Sequence, residues 1–221
     1  MQLISGRSAV VAVLNDPNFV VPPVPAAATG VGWLRATVGR FSNGEHHARR
    51  RALSVAVLTA VPPGVLRCPG SAEHPVAVLA GAMGVEHPVV DLVRDVASAY
   101  QPGTGDEPRA DAAVDRLVQL LGGTADESTA ARIGVLVQAC DATGTLIERA
   151  RDRPIEDVLR DDPPVAATRR QALLATTAGG VRVAAGETVR LSLADGLAFG
   201  AGPRACPGRA HALALAEGFL A

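Results

Sequence analysis

Ten residues, Phe199-Gly200-Ala201-Gly202-Pro203-Arg204-Ala205-Cys206-Pro207-Gly208, constrain the fold of this chain more than any other stretch. They hold three glycines, two prolines and one cysteine, and an Ala/Leu-rich segment follows directly. Gly200, Gly202 and Gly208 permit positive φ and let a flat ligand approach the backbone closely. Pro207 suits the first turn of a following helix. Cys206 is therefore expected at a helix N-terminus, where unpaired N–H groups and the helix dipole favour a thiolate. Arg204, two residues earlier, adds positive charge. A thiolate held this way is a nucleophile or a metal ligand.

The rest of the chain reads as helices separated by proline. A short first helix, residues 5–15, stops at Asp16-Pro17. Residues 20–32 read as a loop, with Trp33 in its glycine-rich end. Ser42 or Asn43 caps a helix that runs to Pro62-Pro63. Two further helices open with His74-Pro75 and His87-Pro88. Residues 101–111 form a turn-rich linker before an amphipathic helix over 110–123. Residues 127–150 make the longest and most apolar helix, which is expected to cross the interior. A helix over 153–162 is closed by Pro163-Pro164, and residues 179–193 alternate around a glycine turn as a hairpin. The expected fold class is mainly α with a small β component, in a single domain over 1–221.

Composition narrows the function. Aromatics make up 3% of the chain, so the core is built from Ala, Val and Leu. All 21 cations are arginine and the net charge is -1, which gives no field to attract nucleic acid or a membrane surface. Cys68, Cys140 and Cys206 are too few and too scattered for a disulfide framework or a CxxC zinc site, which points to a cytoplasmic protein. Cys68 reads as a plain thiol and Cys140 as a packing residue, while His74, His87 and His211 suit surface or helix-start positions.

The loop at 199–208 matches FGxGxRxCxG at every fixed position and so resembles the haem-binding signature of the cytochrome P-450 family. The resemblance implies that Cys206 is the axial ligand of haem iron and pushes electron density toward O–O cleavage. It implies that Arg204 faces a haem propionate, that Phe199 packs beside the sulfur, and that Gly200 and Gly208 belong to the cofactor-binding loop. Three more segments resemble family landmarks in the right order. Gly44–Leu53 resembles the helix with an HxxxR pair, so His47 and Arg51, four residues apart on one face, would hydrogen-bond propionates. Pro154–Arg170 resembles the ExxR helix and the propionate arginine after it. Either Asp157 or Glu156 is spaced to pair with Arg160, and Arg170 or Arg169 would be that arginine.

Residues 136–150 resemble the distal helix that passes over the haem, with Asp141 an acid in an apolar run. In the family an acid followed directly by Thr relays protons to dioxygen. Here Ala142 fills the usual Thr position and Thr143 comes one later, turned about 200° from Asp141 on a helix. Gln138, Asp141 and Thr145 share a stripe instead. Proton delivery by Asp141 with Thr143, Thr145, substrate or water, or its absence, all stay open.

Cys206 follows Arg160 by only 46 residues, so the loop that usually fills this interval is missing and the chain is identified as an unusually short, compacted member. The family's β-sheet region before the first helix and its closing hairpin are expected to be missing too. The resemblance implies a haem b (iron protoporphyrin IX) enzyme, a monooxygenase or related oxidoreductase. Its substrate would be a small organic molecule of secondary metabolism, oxidised with O2 or peroxide. A ferredoxin or flavoprotein reductase would supply electrons, and an opened pocket would be covered by a second copy as a homodimer. The alternatives are a redox-neutral haem enzyme (dehydration, rearrangement or cyclisation) and a degenerate, non-catalytic haem-binding partner protein.

Overall fold

A computed structural model describes residues 1–221 except Ala26 and Ala72. Its contacts divide the chain into two units, Met1–Pro22 with Glu148–Arg209, and Pro23–Ile147 with Ala210–Ala221. Among the described residues no helix is long and apolar enough to cross a membrane.

The first unit carries the sheets. Helix α1 (Arg7–Asn15) lies between two-residue strands β1 (Leu3–Ile4) and β2 (Phe19–Val20). After helix α8 (Ile155–Asp161) come β3 (Ala167–Ala172), β4 (Thr176–Ala178), β5 (Val181–Val183) and β6 (Thr188–Ser192). One sheet has the order β1-β6-β3-β2, with β1 parallel to β6 and the other pairs antiparallel. Ile4, Val10, Phe19, Val189, Leu191 and Leu197 form its buried core. Strand β1 pairs Ile4 with Leu191, so a sheet strand does precede the first helix, against expectation. The hairpin also differs from the sequence reading. Strands β4 and β5 form it through Gly179-Gly180, both at positive φ, which is what a two-residue primed turn requires. Beyond Gly186, Ala172 and Glu187 exchange the chain onto β3, so β5 and β6 lie in different sheets.

The second unit is helical: α2 (Gly30–Thr37), α3 (Gly44–Thr59), α4 (Pro75–Ala82), α5 (Val90–Ala99), α6 (Glu107–Leu121), most of α7 (Glu127–Arg149) and nearly all of α9 (Arg209–Leu220). Val and Leu side chains fill its core, with one face of α7 (Ile133, Leu136, Val137) fully or almost fully buried in it. Helix α7 is the longest, as read from the sequence.

Helix α2 overturns the loop expected at its start and takes Trp33 onto the core edge. Its glycines make it a weak helix, and its N-terminus is capped from outside. The Oδ1 of Asp111, on α6, accepts from the Val31 N–H at 2.7 Å, over Gly30 at φ +62°. Helix α6 starts at Glu107 inside the expected linker, because Asp106 caps it by accepting from the Arg109 N–H at 3.1 Å. Arg35 of α2 is buried and donates to the carbonyls of Ala99 and Tyr100 at the end of α5, and to Glu107 Oε1 at 2.7 Å. His74 starts α4 as expected, its Nδ1 accepting from the Val76 N–H at 3.2 Å. His211 is no surface group: it is 9% exposed within α9.

Candidate functional site

The cysteine loop is built on backbone hydrogen bonds. Gly200 N donates to Leu197 O at 2.7 Å and Ala205 N to Gly202 O at 3.0 Å across a short 3-10 turn, Gly202–Arg204. Cys206 N then donates to Phe199 O at 2.8 Å and closes the loop. Gly200 (φ +69°) and Gly202 (φ +68°) need their conformational freedom. Helix α9 begins only at Arg209, so Pro207 and Gly208 form a turn between Cys206 and the helix. Pro207 is therefore not in its first turn, and the helix dipole acts on the sulfur from three residues away. Cys206 is exposed, Arg204 and Phe199 are half-buried, and the Arg209 guanidinium stands 5.5 Å from the centre of the Phe199 ring.

Two residues that no motif marked hold this loop in place. Arg7 of α1 donates to Asp195 O at 2.9 Å and Gly196 O at 3.2 Å, fixing the turn that leads into the loop. Asn15, at the other end of α1, packs so closely on Gly202 that a Cβ there would overlap it. The Asp195 N–H also donates to the Arg160 carbonyl at 2.8 Å.

Of the two candidate arginines on β3, strand alternation turns Arg170 inward (6% exposed) and Arg169 to solvent. Arg170 Nη1 donates to Arg169 O at 2.7 Å and Thr168 Oγ1 at 3.2 Å. Arg160 pairs with Asp157 at 2.7 Å, and with Asp161 at 2.9 Å, on an exposed face of α8. Asp157 thus takes the place left open between it and Glu156.

His47 and Arg51 stand half-buried one turn apart on α3, in the second unit. Their neighbours Arg49 and Arg50 both bond Glu127, the first residue of α7, at 2.7 and 2.8 Å. Hydrogen bonds from Arg49 and then Arg50 hold the Glu127 carboxyl down from its usual 4.5 to about 2. A carboxyl whose pKa is depressed by folding adds stability above its unfolded pKa and loses it as the pH falls toward the folded one. Glu127→Gln is therefore expected to flatten the fall in urea-unfolding midpoint from about pH 4.5 to about 2; a midpoint curve parallel to wild type would rule this out.

On α7, Asp141 is exposed, with Gln138 exposed and Thr145 half-buried on the same stripe. Its carboxylate is not in apolar surroundings, so it carries no burial cost, contrary to the sequence reading. Thr143 faces the other way into the core, 2% exposed. Burial pushes the Cys140 thiol up to about 11, with the Asp141 charge adding to it. Burial, then Arg94, lowers the His74 pKa, and Asp141 opposes this.

No protein-family model and no curated protein matches the sequence. Solved structures do. The chain is similar to P450BioI, determined in complex with an acyl carrier protein ligated to hexadec-9Z-enoic acid (TM-score 0.70, 16% identity, 98% of this chain and 83% of that one). It is also similar to cytochrome P450 TxtC, described as performing sequential aliphatic and aromatic thaxtomin hydroxylation (0.66, 18%, 99% and 83%). A third is Mycobacterium smegmatis CYP164A2 in its ligand-free state (0.67, 19%, 99% and 82%). With these similarities over nearly its whole length, and FGxGxRxCxG in the loop before α9, the chain has the cytochrome P450 fold in shortened form.

Proposed function

We propose that residues 1–221 form one haem domain and that the protein is a haem-thiolate oxidoreductase acting on a small organic molecule of secondary-metabolite type. The observation that carries this reading is the Cys206 loop: an exposed thiol at the end of a loop closed by backbone bonds, bent at Gly200 and Gly202, with room where a Gly200 Cβ would stand and Gly202 packed on Asn15.

The residues present fit haem. Cys206 would hold the iron as thiolate, with Phe199 beside the sulfur and Gly200 and Gly208 allowing close approach. Arg204, Arg170, His47 and Arg51 would hold the propionates, and the inward guanidinium of Arg170 supports that role. When bound, the haem supplies an iron centre for oxidation with dioxygen or peroxide. The chain's own residues would orient the cofactor and handle protons. Asp141 is the proton-handling group, with Thr145 on its stripe and Thr143 on the opposite face. A ferredoxin or flavoprotein reductase would serve as electron donor.

The burial of Thr143 away from Asp141 favours one second reading, peroxide-driven or redox-neutral haem chemistry that needs no such relay. The deciding experiment is the absorption spectrum of haem-supplied protein reduced with dithionite under carbon monoxide. A Soret band shifted far to the red is expected. Folded protein without that band would make the chain a degenerate scaffold.

A further inference from the structure

Helix α3 ends at Thr59, and Pro62-Pro63 then remove two backbone donors where the last carbonyls need them. The Val61 N–H reaches Leu58 O at 3.0 Å, and His211 of α9 adds a side-chain donor shared between Leu58 O and Val61 O. Its Nε2 lies 2.9 Å from Leu58 O and 2.8 Å from Val61 O. Both partners only accept, so Nε2 carries the proton and the tautomer follows from the geometry. The other ring nitrogen, Nδ1, is buried with no hydrogen-bond partner among the described residues. An orphaned buried acceptor is costly, and a leucine would fill the same space without one. The contribution of His211 is therefore its donor.

The far end of α9 is held on the same segment. Gly218, seven residues and about two turns later, lies on the same face as His211. A Cβ there would come within 2.7 Å of Cys68 N and 2.9 Å of Arg67 Cα, and Arg67 pairs with Glu217 at 2.7 Å. Ala214 and Leu215, between the two ends, are buried in the helical core. Close approach at Gly218 sets how near α9 comes to residues 58–68, and the His211 donor sets its rotation. Only Pro207 and Gly208 separate Cys206 from the helix, so the chain itself carries a rotation of α9 to the cysteine.

We infer that His211 is a positioning residue of the haem-thiolate site: its shared Nε2–H locks the rotation of α9 and so fixes the path by which the chain leaves Cys206. This rests on the haem-thiolate reading. The test begins with ligand-free protein, in which imidazole 15N shifts should show Nε2 protonated and Nδ1 bare; protonation at Nδ1 alone would overturn the inference. His211→Gln keeps an N–H where Nε2 stood, whereas His211→Asn places its amide nearer Nδ1, short of both carbonyls. With haem bound, the Gln variant should keep the red-shifted carbon monoxide band. The Asn variant should lose part of it to a shorter-wavelength form and release haem about tenfold faster, with unchanged circular dichroism. If the Asn chain does not fold, His211→Leu gives the same comparison. Variants that match wild type with the band intact overturn this inference alone. A wild-type protein without the band overturns the haem reading and takes this inference with it.

Discussion

Cys206→Ser is expected to abolish the red-shifted carbon monoxide band completely while leaving the ligand-free protein folded. A metal-binding thiolate forms near neutral pH, whereas a serine hydroxyl stays protonated and is a far poorer donor to iron. The loop itself should survive, because it is closed by the backbone bond from Cys206 N to Phe199 O and braced by Arg7 and Asn15, none of which uses the sulfur. With its side chain exposed, the substitution should change unfolding free energy by no more than about 0.5 kcal/mol. The paired measurements are the reduced difference spectrum and a thermal melt of each form. A retained band would remove Cys206 from the iron. A collapse of the ligand-free melt would show that the sulfur holds the loop rather than a ligand.

Arg35→Met should have the largest effect on stability. The guanidinium is 5% exposed and donates to Tyr100 O at 3.2 Å, to Ala99 O and to Glu107 Oε1. Methionine fills much of the space but leaves two carbonyls at the end of α5 without their donors, at about 1–3 kcal/mol each when buried. Glu107 is half exposed and recovers water, so its loss adds little. A destabilisation of about 2–4 kcal/mol in urea unfolding is expected, with Arg35→Lys in between because an ammonium cannot span all three acceptors. A loss below about 1 kcal/mol would mean that water reaches those carbonyls.

Neither Arg35 nor His211 stands out in the sequence, and the reason is the same. Each satisfies backbone carbonyls far along the chain, His211 at a separation of 153 residues from Leu58 and Arg35 at 64 from Ala99. Spacing rules see only neighbours. Helix α2 was hidden likewise, since its cap comes from Asp111, and β1 and β3 were hidden because two- and six-residue strands are specified by their partners. What was legible was local. The bend of the cysteine loop follows from Gly200 and Gly202, the stop of α1 from Asp16-Pro17, and the length of α7 from a largely apolar stretch without proline.

The sequence by itself determined the mainly helical class, the glycine-bent cysteine loop before the last helix, and the opposition of Asp141 and Thr143 on α7. Each depends on dihedral limits or a helical period that a few adjacent residues settle. Only the tertiary structure decided that Arg170 rather than Arg169 turns inward, that Asp157 pairs with Arg160, that Asp141 is exposed, and that His211 is a buried donor. Those outcomes depend on which orphaned backbone group or apolar surface packs against each side chain, and distant parts of the chain supply both.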